Sequence, residues 1–434
     1  MRGFGDNIAR HEPDAGWTAG FYAMVFVEGD LMKMAMPGSM SVKGRFAALM
    51  VAIVMVGCGA QGTDEPFDWC GGTAPDAACY SATRAPESEN IELARAILDR
   101  YIDVYPGNYL GWTWEPTVLM TGVYELYRVT GEQRYLEYMK TWMDSRLELG
   151  YYMFCSDFMS PALIAAFLYM ETGDEKYRAV VDDAFTYISE TVIRTEDGGI
   201  NHWGATEFNG GATLWLDTLF MVGTMLTRWG EFIDDSEPLD EMALQIKVFS
   251  DRLQSSEGLY VHAFNYNRPV DDDIYWGRGN GWVSAAGFDY LRARKIRGET
   301  DQFALDALVA QAEAAVAAQD ADSGLWWIVL NRPGEAYLET STTALFAYGM
   351  ARGWRYGFLG DEYLPVIADA MRGIKATLTT DGQGRPVVSN VSGPTEAGTF
   401  EYYAGLELED DLGYGVGSVL LALVETSGLP DMDP

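Results

Sequence analysis

A glycine-centred turn recurs six times along this chain: Val129-Thr-Gly131-Glu, Glu171-Thr-Gly173-Asp, Arg228-Trp-Gly230-Glu, Ile296-Arg-Gly298-Glu, Phe358-Leu-Gly360-Asp and Thr426-Ser-Gly428-Leu. In five of the six an acidic residue follows the glycine. That is the pattern of a helix stopped by glycine and restarted under an acidic first turn. Spacings of 42 to 68 residues mark the turns as punctuation of an internal repeat. The segments before them, 117–128, 161–171, 214–228, 283–297, 343–356 and 416–426, are apolar and rich in small residues. Those after them, 134–148, 176–194, 239–253, 303–319 and 362–378, carry charge on one face. The first kind is buried all round and the second is amphipathic, so an inner ring of helices lies within an outer ring. With 89–105 as the outer partner of the last inner helix there are six pairs. The expected fold class is all-α, an (α/α)6 barrel in one domain over residues 89–434.

The two ends of such a barrel differ. One carries the tight glycine turns; the other carries the long segments 106–116, 150–160, 195–213, 255–282, 320–342 and 379–415. Long loops in a compact domain are usually functional. Two motifs stand where these loops enter inner helices: Trp215-Leu-Asp217-Thr-Leu-Phe-Met221 and Trp276-Gly-Arg278-Gly-Asn280-Gly-Trp282. Each sets one charge among tryptophans, and such a charge is costly to bury without a partner or a task. Opposite charges at one mouth suggest a pocket for an anionic, ring-shaped ligand, with tryptophan faces as stacking surfaces.

Burial raises a carboxyl pKa, so Asp217 is expected to be the acid, its helix-dipole stabilisation being the smaller effect. Asp157, in Cys155-Ser-Asp157-Phe-Met159, enters another inner helix, and a second carboxylate would push the two pKa values apart. Capping is the alternative role for either Asp. Arg278 between Trp276 and Trp282 can stack and offer paired N–H groups to a carboxylate, with Asn280 beside it. His262 lies in the loop leading to Arg278, His202 lies before Asp217, and Trp114 precedes the first inner helix.

A formal net charge of -34 excludes a phosphate-neutralising surface, so no nucleic-acid partner is expected. With three histidines and neither a Cys-x-x-Cys nor a His-Glu-x-x-His spacing, no metal or other cofactor is expected. Residues 41–58 have a basic start at Lys43 and Arg45, an apolar run from Phe46 to Val56, then Gly57-Cys58. That run is shorter than the roughly 20 residues a bilayer span needs, and the whole reads as an export signal. Met55-Val-Gly-Cys58 resembles the bacterial lipobox, which implies Cys58 as the lipidated first residue of an exported cell-envelope lipoprotein. Residues 1–40 then read as a mis-assigned upstream extension, with Met32, Met34, Met36 and Met40 as alternative starts. Residues 59–88 read as a flexible tether containing Cys70 and Cys79, and Cys155 as a free buried thiol.

Trp215-Leu-Asp217-Thr-Leu-Phe-Met, then Tyr260-Val-His262, then Trp276-Gly-Arg278-Gly-Asn-Gly-Trp282, resembles the unsaturated rhamnogalacturonyl hydrolases of glycoside hydrolase family 105, related to the family 88 unsaturated glucuronyl hydrolases. The resemblance covers residues 89–427. It implies an (α/α)6 barrel acting on an anionic oligosaccharide whose non-reducing end is a Δ4,5-unsaturated uronate; a monomer is expected. It implies that Asp217 protonates C4 of the enol ether and then helps activate water, that Asp157 is the second acidic residue, and that Arg278, Trp282, His262 and Trp114 shape the uronate site. Trp215, Trp276 and Asn280 belong to the same motifs. Gly210-Gly211 and Thr206 depart from the polar or His-bearing loop expected before Asp217, which leaves the leaving sugar open. Alternatives are glucuronyl specificity and a non-catalytic glycan-binding lipoprotein.

Overall fold

Left-handed glycines stop four of the six inner helices as expected: Gly131, Gly173, Gly298 and Gly428 have φ of 68°, 66°, 73° and 73°. The computed structural model describes residues 84–430 and 432. The chain divides into residues 1–63 and 64–434, and every described residue belongs to the second unit. The expected signal at 41–58, Cys58 and the pair Cys70 and Cys79 lie outside the described residues.

The helices in chain order are α1 Glu89–Val104, α2 Trp114–Thr130, α3 Gln133–Leu149, α4 Ser156–Met159, α5 Ala162–Thr172, α6 Glu175–Glu190, α7 Asp217–Met221 and α8 Gly223–Phe232. They continue as α9 Ser236–Leu253, α10 Gly277–Ile296, α11 Gln302–Ala317, α12 Thr340–Arg355, α13 Leu364–Thr377, α14 Phe400–Ala404 and α15 Gly413–Thr426. The inner ring closes: α2 packs on α5, α5 on α8, α8 on α10, α10 on α12, α12 on α15, and α15 back on α2. Outside it, α1 lies against α15 and α2, α3 against α2, α6 against α5, α9 against α8, α11 against α10 and α13 against α12. This is the (α/α)6 barrel. Small residues let inner helices touch: a Cβ on Gly122 of α2 would stand 2.5 Å from the carbonyl oxygen of Gly417 on α15.

Two turns differ from expectation. Gly230 lies inside α8, and the left-handed residue is Asp234 (φ 53°), after which Asp235 caps α9 by accepting the N–H of Glu237 at 3.0 Å. The helix runs past Gly230 because Glu231 is anchored by Arg292 of α10, whose Nη1 donates to it at 2.7 Å. Gly360 is extended, and Gly357 (φ 68°) makes the turn instead. Residues 84–88, placed in the tether by sequence, are packed: Arg84 is buried and its Nη2 donates to Glu425 at 2.7 Å. Ser88 caps α1 through the N–H of Ile91. Cys155 is a free buried thiol.

At the tight-turn end the inner helices share a buried ion network. Asp289 of α10 accepts from Arg228 Nε of α8 at 2.6 Å, from Arg292 Nε at 2.9 Å, and from Arg352 of α12. Arg228 also donates to Glu125 of α2 at 2.6 Å, and Arg352 to Glu425 of α15 at 2.7 Å. Five of the six inner helices are thereby tied across the axis, leaving the long-loop end as the open mouth. There, short antiparallel pairs order the loops. β1 (Leu214–Trp215) pairs with β2 (Ala263–Phe264), β3 (Trp326–Trp327) with β4 (Leu338–Glu339), β5 (Thr379–Thr380) with β6 (Pro386–Val387), and β7 (Val391–Ser392) with β8 (Leu408–Glu409).

Candidate active site

Residues 214–216 precede the helix as strand and turn, and this places the chemistry. Trp215 pairs with Ala263, and the N–H of Leu216 donates to the carbonyl of His262 at 3.1 Å. His262 is thus held beside Asp217, the first residue of α7, with Nε2 3.0 Å from Asp217 Oδ2. The imidazole is buried while the Asp217 side chain keeps 14% of its surface exposed, so of the pair it is the carboxylate that solvent or a ligand can reach. Burial is the largest single influence on Asp217 and pushes its pKa up. The hydrogen bond to His262 is the largest of the influences that outweigh burial and hold the group below the usual carboxylate range.

The raised carboxyl is Asp157, on α4. Burial, then the neighbouring charges of Asp217 and Glu115, keep its pKa well above the ordinary value. Desolvation was expected to win at Asp217. The His262 contact reverses that order, so of the two carboxyls it is Asp157 whose pKa is held up and Asp217 whose pKa is held down. His202 is buried beside Asp157, with Nδ1 3.0 Å from Thr218 Oγ1 and Nε2 3.7 Å from Asp157 Oδ1. Burial lowers its pKa to about 4, so the ring is neutral.

Aromatic rings wall the site. Trp215 stacks on His202 at a centroid distance of 4.7 Å, Trp276 lies 4.2 Å from the His262 ring, and Trp114 packs on Tyr414 at 4.6 Å. The indole N–H groups of Trp203, Trp215 and Trp276 are buried without a protein partner. An unmet buried donor costs about 1–3 kcal/mol, so these are groups a polar ligand or water would satisfy.

Three motif residues do other work than the sequence suggested. Trp282 is fully buried under α7 against Phe220, within the core. Asn280 is fully buried and clasps Tyr260, accepting its N–H at 2.8 Å and donating to its carbonyl at 2.9 Å, which fixes the segment that leads through His262 into β2. Arg278 lies between the rings of Trp276 and Tyr414. Its terminal N–H groups reach the carbonyl and hydroxyl of Ser392 at 3.0 and 2.7 Å, the carbonyl of Gly393 at 2.9 Å and the hydroxyl of Thr395 at 2.7 Å. The paired donors expected to meet a carboxylate are therefore committed to the end of β7 and the loop after it. Sequence reasoning missed Glu115, whose pKa burial also raises, and Tyr403, whose hydroxyl meets His262 Nδ1 at 2.8 Å.

A family model described as Glycosyl Hydrolase Family 88 matches residues 67–429. The chain belongs to this family. The match begins inside the segment expected to be a tether. Among relatives of this family 88 member, the unsaturated rhamnogalacturonyl hydrolase YesR of Bacillus subtilis is 27% identical over 339 residues, covering 77% of this chain and 95% of that one. The unsaturated 3S-rhamnoglycuronyl hydrolase of an Alteromonas species is 27% identical over 217 residues, 49% of this chain and 50% of its own. Among solved structures, a possible GH105-family member from Klebsiella pneumoniae superposes with a TM-score of 0.68 at 27% identity, covering 78% of this chain and 92% of the other. This family 88 chain is a glycoside hydrolase.

Proposed function

We propose that the enzyme removes a Δ4,5-unsaturated galacturonate from the non-reducing end of rhamnogalacturonan lyase products, by hydrating the C4=C5 enol ether. The observation that carries this reading is the carboxyl pair at the mouth: Asp217, hydrogen-bonded to His262 and held below the usual carboxylate range, beside Asp157, held above it. An arriving uronate adds negative charge beside Asp217 and raises its proton affinity. Asp217, protonated, then donates to C4, and positive charge develops at C5, shared with the ring oxygen. Water adds to C5 and its proton returns to Asp217. The hemiketal opens and releases the neighbouring sugar. One carboxyl group serves first as acid and then as base, unlike the paired roles in ordinary glycosidases.

Support for galacturonyl and rhamnosyl preference comes from the relative in Bacillus subtilis, which is named for that activity. The second reading is an unsaturated glucuronyl substrate from glycosaminoglycan or ulvan fragments, and the Alteromonas relative, named as an unsaturated 3S-rhamnoglycuronyl hydrolase, is the reason to test a uronyl substrate of another kind. Release from an unsaturated galacturonyl-rhamnose disaccharide is expected to exceed release from an unsaturated glucuronyl disaccharide. The reverse order of kcat/KM values would assign the second reading.

The basic, apolar and Gly57-Cys58 pattern supports export and lipid anchoring at Cys58. The mass of the mature protein is then expected to start at an acylated Cys58. An unmodified chain retaining residues 41–57 would remove that proposal.

A further inference from the structure

Tyr403 comes to the site from the last long loop, 141 residues beyond His262. Its short helix α14 is tied down on several sides. The N–H of Phe400 donates to Asp271 Oδ2 at 2.8 Å, the N–H of Asp271 donates to the carbonyl of Gly398 at 3.3 Å, and Tyr337 donates its O–H to the carbonyl of Tyr403 at 3.2 Å. The Tyr403 ring lies nearly parallel to Trp276, 12° apart, and is 1% exposed. The hydroxyl therefore has a defined place.

One of its two hydrogen bonds has a fixed direction. The hydroxyl oxygen accepts the N–H of Gly398 at 3.0 Å and stands 2.8 Å from His262 Nδ1, so its own proton is available to be donated to that nitrogen. A neutral imidazole has one N–H and one bare nitrogen. If Nδ1 accepts from Tyr403, the ring proton sits on Nε2, which points at Asp217 Oδ2. We propose that Tyr403 is a positioning residue that holds His262 as the Nε2–H tautomer, so that the imidazole donates to Asp217 and is barred from accepting its proton. In the other tautomer a bare Nε2 faces Asp217. It repels the carboxylate, or takes the hydrogen bond of the protonated acid away from C4. The control exerted over a catalytic acid by the tautomer of its neighbour is of the same kind as an aspartate's control over a catalytic histidine.

The tautomer itself can be read without substrate, whereas its effect on rate rests on the hydration proposed above. The chain has only three histidines, so imidazole nitrogen resonances of the 15N-histidine-labelled protein are few. Those of His262 are assigned by their loss in His262→Gln. The expected wild-type spectrum has His262 with Nε2 protonated and Nδ1 bare. Tyr403→Phe, with its melting transition retained, is expected to shift that pattern toward the Nδ1–H form. The same variant should lower kcat by about 10- to 100-fold, the cost of a misplaced catalytic group, with KM changed less than about twofold. A wild-type His262 found as the Nδ1–H form or as imidazolium would overturn the proposal, and this reading needs no variant to fold. So would a Tyr403→Phe protein with unaltered tautomer and kcat. Absence of turnover on every unsaturated uronide, with the Nε2–H tautomer present, would strike the hydration reading and leave the tautomer assignment standing.

Discussion

Replacing Asp217 with asparagine is expected to lower kcat/KM by about 10²- to 10⁴-fold, the usual worth of a positioned acid or base, while the barrel stays folded. The amide oxygen of an asparagine still accepts the hydrogen bond that His262 gives at 3.0 Å, so the local geometry survives. What is lost is the exchangeable proton. Steady-state rates, with circular dichroism to confirm an unchanged helix signal, separate the two effects. Full activity in Asp217→Asn would mean that another group, with Asp157 the first candidate, performs the protonation.

The second large effect is at the opposite end of the barrel. Asp289→Ala leaves Arg228, Arg292 and Arg352 converging on an empty buried site. Removing one partner of a buried charge cluster typically costs about 3–5 kcal/mol, and the denaturant midpoint is expected to fall accordingly. The same network sets the acid limit of stability. In the folded state burial pushes the carboxyl pKa of Glu425 up, but Arg352, Arg84 and Arg355 outweigh it and lower it to about 2; Asp289 is lowered likewise by Arg228, Arg292 and Arg352. A depressed carboxyl contributes its full stability above its unfolded pKa. That contribution is expected to disappear as pH falls from the ordinary carboxylate range toward about 2. An unchanged midpoint in Asp289→Ala, or stability insensitive to acid over that interval, would show that the network adds nothing net.

The barrel was legible because its determinants are local. Helix-stopping glycines and runs of small apolar residues repeat in register, and Gly131, Gly173, Gly298 and Gly428 do what glycine at a helix end does. Gly230 misled because its helix is continued by a contact from elsewhere, Glu231 to Arg292, that no local pattern encodes. The site divides in the same way. Asp217 and His262 stand in motifs with recognisable neighbours, and the pairing of β1 with β2 brings them together. Arg278 was legible as a buried charge needing a partner, but its acceptors at Ser392, Gly393 and Thr395 arrive from a loop without periodicity. Tyr403 and Glu115 carried no signal, for the same reason. The direction of the Asp217 pKa depends on how desolvation balances against the hydrogen bond to His262, a partner placed by folding, and residue types alone do not determine that balance.

The most direct test of the account is the ultraviolet absorbance of the enol ether while the purified enzyme acts on pectin-lyase digestion products. Hydration of C4=C5 destroys that chromophore, whereas ordinary glycosidic displacement preserves it. The account predicts steady loss of the band with wild-type enzyme and none with Asp217→Asn. Release of sugar with the band intact would contradict the hydration mechanism at its central step.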